Sequence, residues 1–260
     1  MLLNHIKKLK KNKMKKYKIK LDRRDFIKSS SVLGISSIAP GIFFQELVYG
    51  RDLDEPASSK IRWGMLIDTN QCTEECDACV TACNEEHGIE DFGRPTTDTQ
   101  YIRKLKLTDD SSGKTFNIPM MCQHCENPPC VDVCPTGASF IRADGIVLVN
   151  KHTCIGCRYC MMSCPYKARS FIHENLENQV PHTPRGKGCV ESCNLCVHKV
   201  DNGENTTACA EACIKDGHKA ILFGDLNDPE SEISKKLNKY KTTEVRSDLG
   251  LNTAVRYRGI

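Results

Sequence analysis

The sequence predicts an α+β fold in which short strands and helices are joined by long loops. Three observations support this. Only 39% of the 260 residues are hydrophobic and 6% are aromatic, which is little apolar material for one large core. Seventeen residues are cysteine, so bound metal or disulfides are expected to supplement that core. The segments with strand or helix periodicity are all short.

Residues 1–50 differ in charge from the rest of the chain. They carry twelve lysines and arginines against three acidic residues, a net charge of +9, which leaves −5 for residues 51–260. Because the basic charge is confined to one end, nucleic acid is excluded as a partner. Arg23 and Arg24 precede an uncharged stretch, residues 29–44, and this arrangement resembles a twin-arginine export signal. The alternative is a basic amphipathic arm on a cytosolic protein.

The export signal predicts a location on the periplasmic side of the bacterial inner membrane, reached in the folded state. No run approaches the roughly 20 apolar residues of a membrane span, so the protein is expected to be peripheral to the membrane. A phosphate-binding glycine loop, a G-x-S-x-G elbow and a C-x-x-C-H haem site are all missing from the sequence. Nucleotide chemistry, serine hydrolysis and c-type haem in this chain are therefore disfavoured.

Several short elements are predicted between and after the cysteines. Residues 62–68 and the alternating residues 101–107 are expected to be strands. Residues 140–149 predict a β-hairpin with a glycine turn. A helix is expected from an Asp-Pro cap at residue 228 to about residue 237, and residues 246–260 are predicted to be an extended tail.

Sixteen cysteines form four groups, and their spacing decides what they bind. Group III has the spacing C-x2-C-x2-C-x3-C of bacterial ferredoxins, in which three cysteines ligate one [4Fe–4S] cluster and the fourth ligates its neighbour. Group II (C-x2-C-x4-C-x3-C) and group I (C-x3-C-x2-C-x3-C) are close variants of it. Group IV has a C-x2-C pair and a C-x3-C pair twelve residues apart, which alone could bind zinc. The groups are I, Cys72, Cys76, Cys79 and Cys83; II, Cys122, Cys125, Cys130 and Cys134; III, Cys154, Cys157, Cys160 and Cys164; and IV, Cys193, Cys196, Cys209 and Cys213.

The ferredoxin exchange, applied to groups II and III and by extension to groups I and IV, predicts four [4Fe–4S] clusters. The four ligand sets are set 1, Cys72, Cys76, Cys79 and Cys213; set 2, Cys83, Cys193, Cys196 and Cys209; set 3, Cys122, Cys125, Cys130 and Cys164; and set 4, Cys134, Cys154, Cys157 and Cys160. Sixteen thiolates leave no iron without a protein ligand. The chain is therefore predicted not to be an enzyme by itself.

Cys189 is the seventeenth cysteine, and it leaves two registers open for group IV. In the register that we favour, Cys189 is free, because Cys209-x3-Cys213 repeats the closing step of the other three groups. In the other register, Cys189 forms a ferredoxin-like triplet with Cys193 and Cys196, and Cys209 or Cys213 is spare.

Two strings resemble the four-cluster ferredoxin-type electron-transfer subunits of bacterial respiratory complexes: CQHCENPPCVDVCPTGASF from Cys122 and CIGCRYCMMSCPY from Cys154. This family includes iron–sulfur subunits of polysulfide, tetrathionate and dimethyl sulfoxide reductases and the nitrite-reduction protein NrfC. The resemblance covers residues 61–227 and implies two tandem bacterial-ferredoxin-like modules, each binding two clusters. The outer module would comprise residues 61–115 and 181–227 and the inner one residues 116–180, followed by the C-terminal helix and tail over residues 228–260.

Three further features resemble DsrO-type subunits, the periplasmic iron–sulfur subunits of DsrMKJOP complexes in sulfur metabolism. They are the leader, residues 224–233 and the ending at residues 246–260. This resemblance implies an NrfD-type integral membrane partner that handles quinone, together with haem c and haem b subunits. The alternative is an electron-transfer subunit of a molybdopterin-dependent reductase of the polysulfide or tetrathionate type, with a molybdopterin catalytic subunit as partner, or of nitrite reduction, as in NrfC.

Overall fold

The structure, a computed structural model, describes residues 55–177 and 179–260. The proposed export signal with Arg23 and Arg24 lies outside the described residues. The strands are β1 (Trp63–Asp68), β2 (Ile102–Thr108), β3 (Thr115–Met121), β4 (Ser139–Ile141), β5 (Val147–Val149), β6 (Ser170–Phe171), β7 (Val190–Glu191), β8 (Ile221–Asp225) and β9 (Val255–Arg258). The helices are α1 (Ala78–His87), α2 (Pro129–Asp132), α3 (Tyr159–Ser163), α4 (Val197–Asp201), α5 (Ala208–Lys215) and α6 (Glu232–Lys239). Short helices and strands with long connections confirm the predicted mixture of α and β structure.

A three-stranded sheet with the order β8-β1-β9 forms the centre of the core. Strand β1 is buried along its whole length, which explains its nearly continuous apolar sequence. It pairs antiparallel with β8, with Met65 opposite Phe223, and parallel with β9, with Met65 opposite Val255. The rings of Trp63 and Phe223 stack with centroids 5.2 Å apart. The predicted strand at residues 62–68 is thus confirmed, beginning one residue later.

Three antiparallel hairpins surround the cysteine loops: β2-β3, β4-β5 and β6-β7. The predicted hairpin over residues 140–149 is confirmed as β4-β5. Its turn contains Gly145 at φ +84°, a left-handed conformation that glycine adopts without a Cβ clash. The predicted strand at residues 101–107 is confirmed as β2, displaced by one residue.

The helices bring the cysteine groups together in pairs. Helix α1, which carries the end of group I, packs against α5, which carries the end of group IV. Helix α2 of group II packs against α3 of group III. Across residues 55–177 and 179–260, no helix combines the length and apolar character needed to cross a membrane.

The C-terminal region differs from its prediction in two respects. Helix α6 is capped by Ser231, whose Oγ accepts from the Ser234 N–H at 3.2 Å, so it begins three residues later than predicted and ends at Lys239. The predicted extended tail contains a short 3-10 turn and then β9, whose Tyr257 is fully buried. A four-residue strand is too short to show a clear period, and its partner β1 lies almost 190 residues away.

Candidate metal centres

The four cysteines of set 1 line one cavity beside the end of β1. Cys72 and Cys76 lie on the loop before α1, Cys79 lies in its first turn, and Cys213 lies on α5. Burial, followed by the neighbouring thiols of Cys79, Cys213 and Cys76, raises the pKa of Cys72 to about 12. The main-chain N–H of Ala220 donates to Cys213 Sγ at 3.2 Å. Group I and the end of group IV therefore meet, despite the widened Cys72–Cys76 spacing.

The cysteines of set 2 converge in the deepest part of the core. Cys83 comes from α1, Cys193 and Cys196 from the loop before α4, and Cys209 from α5; all four are buried. Burial raises the pKa of Cys83 well above its usual range, and the thiols of Cys193, Cys209 and Cys196 raise it further. The Thr207 hydroxyl lies 3.3 Å from Cys209 Sγ.

The cysteines of set 3 line a second cavity, together with the side chain of Arg169. Cys164, which ends α3, here joins three cysteines of group II. Burial, then the thiols of Cys122, Cys130 and Cys164, raises the pKa of Cys125 to about 12. The fourth cysteine of group III thus lies among the first three of group II.

Set 4 is the most exposed of the four. The pKa of Cys160 is raised by burial, and the thiols of Cys154 and Cys134 are among its charged neighbours. Burial opposes ionisation of Cys134, but the Ser139 N–H, 3.4 Å from its Sγ, and other local donors lower its pKa to about 7. Cys157, the remaining member of set 4, is exposed.

Thiols of consecutive sets also approach one another. Cys79 of set 1 lies near Cys209 of set 2. Cys193 of set 2 lies near Cys122 of set 3. In turn, Cys130 of set 3 lies near Cys160 of set 4. The four sets therefore form a chain in numerical order through the protein.

Cys189 lies beside set 4 and not among the cysteines of its own group. Its Sγ donates to the Lys151 carbonyl at 3.2 Å. Burial, then the thiol of Cys154, raises its pKa. The ferredoxin-like triplet with Cys193 and Cys196 would require its sulfur beside theirs. This position favours the register in which Cys189 is free.

The chemistry of these sites fits iron–sulfur clusters. Each set offers sulfur donors on turn-rich segments, and thiols with raised pKa values release their protons when metal binds. Arg169 provides an independent indication, because its Nε and Nη2 are buried without a hydrogen-bond partner in the structure. Such donors are normally satisfied, and the sulfur atoms of a bound cluster would be suitable acceptors. Sequence reasoning missed Arg169, since one arginine after a cysteine motif carries no signal of its orientation.

Comparison with known proteins agrees with this chemistry. A family model described as a 4Fe-4S dicluster domain matches residues 114–225, which include groups II, III and IV. The chain is 42% identical to the Hdr-like menaquinol oxidoreductase iron-sulfur subunit 1 of Archaeoglobus fulgidus, over 78% of this chain and 85% of that protein. The chain belongs to the family of 4Fe-4S iron–sulfur subunits.

Two further relatives show the range of this family. The iron–sulfur relative from the tetrathionate reductase of Salmonella typhimurium is 34% identical over 78% of this chain and 74% of its own length. NrfC of Escherichia coli is 39% identical over 73% of this chain and 77% of its own length. The chain is accordingly an iron–sulfur electron-transfer subunit of an oxidoreductase complex and not its catalytic subunit, as the sequence predicts.

Proposed function

We propose that this subunit relays electrons through four [4Fe–4S] clusters held by sets 1 to 4. The observation that carries the proposal is the convergence of distant cysteine groups, with Cys213 beside Cys72 and Cys164 beside Cys125. Each cluster would supply one-electron chemistry at a potential set by local charge, hydrogen bonding and exposure. The protein residues hold the clusters, exclude water from sets 2 and 3, and place consecutive sets close together. The two-module organisation follows from the packing of α1 on α5 and of α2 on α3.

The direction of the relay is suggested by exposure. Set 4 contains the exposed Cys157, and Cys72 and Cys76 of set 1 are partly exposed, whereas set 2 is buried throughout. Electrons would enter and leave at sets 1 and 4 and pass through sets 2 and 3. Two ends of this kind suit a subunit that lies between a donor and an acceptor.

A quinone-interacting membrane subunit of the NrfD type is proposed as one neighbour. The name of the Archaeoglobus relative, which includes menaquinol oxidoreductase, supports this partner. The DsrMKJOP-type complex, with its haem c and haem b subunits and its role in sulfur metabolism, is the favoured setting. A molybdopterin catalytic subunit is the alternative, supported by the tetrathionate reductase relative. Under either alternative, Arg23 and Arg24 are proposed to direct export of the folded chain to the periplasmic side.

The cluster count is tested by iron and acid-labile sulfide analysis of the anaerobically purified chain. Four clusters predict about sixteen irons and about sixteen sulfides per chain. About eight irons with stoichiometric zinc would refute the four-cluster proposal. The partner is tested by purifying the tagged chain with its complex from solubilised membranes. Co-purifying c-type haem without molybdenum would support the DsrMKJOP-type setting, and molybdenum without haem would support the alternative.

A further inference from the structure

Arg169 is a buried cation without an acidic partner among the described residues. The residue is 5% exposed and lies between α3 and β6. Its Nη1 donates to Ser139 Oγ at 2.6 Å, whereas Nε and Nη2 have no hydrogen-bond partner. A buried guanidinium in this condition is costly unless negative charge lies close by.

Two other buried arginines are satisfied in the usual way. Arg185 pairs with Glu191, with Nη2 and Oε1 2.6 Å apart. Arg142 donates to both Asp144 and Asp201 at 2.6 to 2.9 Å. Arg169 therefore departs from the way in which this fold otherwise balances a buried positive charge.

The groups facing Arg169 are cysteines from two different sets. Burial, the largest effect, opposes its charged form, but Cys130, Cys122 and Cys160 are the negative partners that raise its pKa. Cys122 and Cys130 belong to set 3, whose cavity Arg169 lines, and Cys160 belongs to set 4. The guanidinium thus lies where two neighbouring clusters would place their negative charge.

We propose that Arg169 bridges the clusters of sets 3 and 4, donates to their sulfur atoms and raises both reduction potentials. The proposal rests on the cluster assignment made above. Reduction of a cluster adds one electron and therefore one negative charge, and breaks no bond. A fixed cation at short range in a poorly solvated site stabilises the reduced state more than the oxidised one. The planar fork of arginine can direct donors to two acceptors at once, whereas a lysine ammonium is a single point charge.

The test is a potentiometric titration of the full, cluster-loaded chain, followed by electron paramagnetic resonance. In Arg169→Gln we expect the reduction equilibrium constants of two of the four clusters to fall at least tenfold. For one electron this corresponds to a negative shift of about 59 mV. The other two clusters should keep their potentials. Iron analysis on the same samples shows whether all clusters are present.

Arg142→Gln is the matched control, because it removes a buried arginine whose charge is balanced by two aspartates. All four potentials should stay within threefold in their equilibrium constants in that variant. The proposal is wrong if Arg169→Gln retains its iron and its potentials are equally unchanged. It is also wrong if Arg142→Gln shifts the same two clusters as strongly.

Arg169→Lys keeps the proposal testable if Arg169→Gln does not assemble. Lysine retains the charge but reaches one cysteine set, so one of the two potentials should fall and the other should remain near its wild-type value. Two unchanged potentials in a fully loaded Arg169→Lys chain would overturn the bridging role. An iron content near eight in the wild type would refute the four-cluster proposal instead, so the two failures are distinguishable.

Discussion

Replacement of Cys189 by alanine distinguishes the two registers of group IV. Cys189 is 8% exposed, its sulfur donates to the Lys151 carbonyl at 3.2 Å, and it lies beside Cys154. Its removal deletes one hydrogen bond, with a net contribution of about 0.5–1.5 kcal/mol. The small void left behind adds roughly another 1 kcal/mol. We therefore expect a loss of about 1–2.5 kcal/mol in the free energy of unfolding, with no cluster lost.

The assay is iron and acid-labile sulfide content, with chemical denaturation of the same samples. Cys189→Ala should keep about sixteen irons per chain, whereas Cys209→Ala and Cys213→Ala should each lose about four or convert one cluster. Cys209 and Cys213 serve as the matched controls, since both are also buried. Loss of about four irons from Cys189→Ala, with full content when Cys209 or Cys213 is replaced, would show that the favoured register is wrong.

Three further predictions address ligand exchange, export and stability. Cys164→Ser should alter the cluster of Cys122, Cys125 and Cys130 in electron paramagnetic resonance spectra, and a change confined to the Cys154 cluster would contradict the exchange. The double variant Arg23→Lys, Arg24→Lys should abolish periplasmic accumulation measured by fractionation, because an ammonium does not reproduce the paired guanidinium forks; normal export would exclude the twin-arginine route. Tyr257→Phe should lower the free energy of unfolding by about 1–3 kcal/mol, since its hydroxyl donates to the Pro119 carbonyl and accepts from Gln123 Nε2, both at 3.1 Å. Tyr159→Phe, at an exposed position, is the control and should change it by less than about 0.5 kcal/mol.

The hairpin β4-β5 and the cysteine motifs could be predicted because their signals are local. A glycine between two apolar segments determines where a hairpin turns, and Gly145 has the positive φ that this turn needs. Ligand spacing likewise reflects the short reach of a chain around a cluster. In both cases a few neighbouring residues contain the complete physical requirement.

The central sheet could not be predicted in the same way. Strand β9 pairs with β1 across almost the whole described chain, and its four residues give no reliable period. The burial of Tyr257 depends on Gln123 and Pro119, which come from other segments. Arg169 was missed for a related reason, since its importance lies in which cysteines surround it and not in its own sequence neighbours.

The same distinction between local and tertiary constraints applies to the proposed relay. Cys79 and Cys83 lie four residues apart on α1, and Cys209 and Cys213 lie four apart on α5, so one helical turn of about 5.4 Å relates the ligands of sets 1 and 2. The spacing between those two sets is therefore fixed by local structure. The approach of Cys193 to Cys122, by contrast, joins set 2 to set 3 through packing alone. A core substitution that loosens this packing should slow transfer between sets 2 and 3 before it affects transfer within either pair, because no helix holds these two cysteines at a fixed separation.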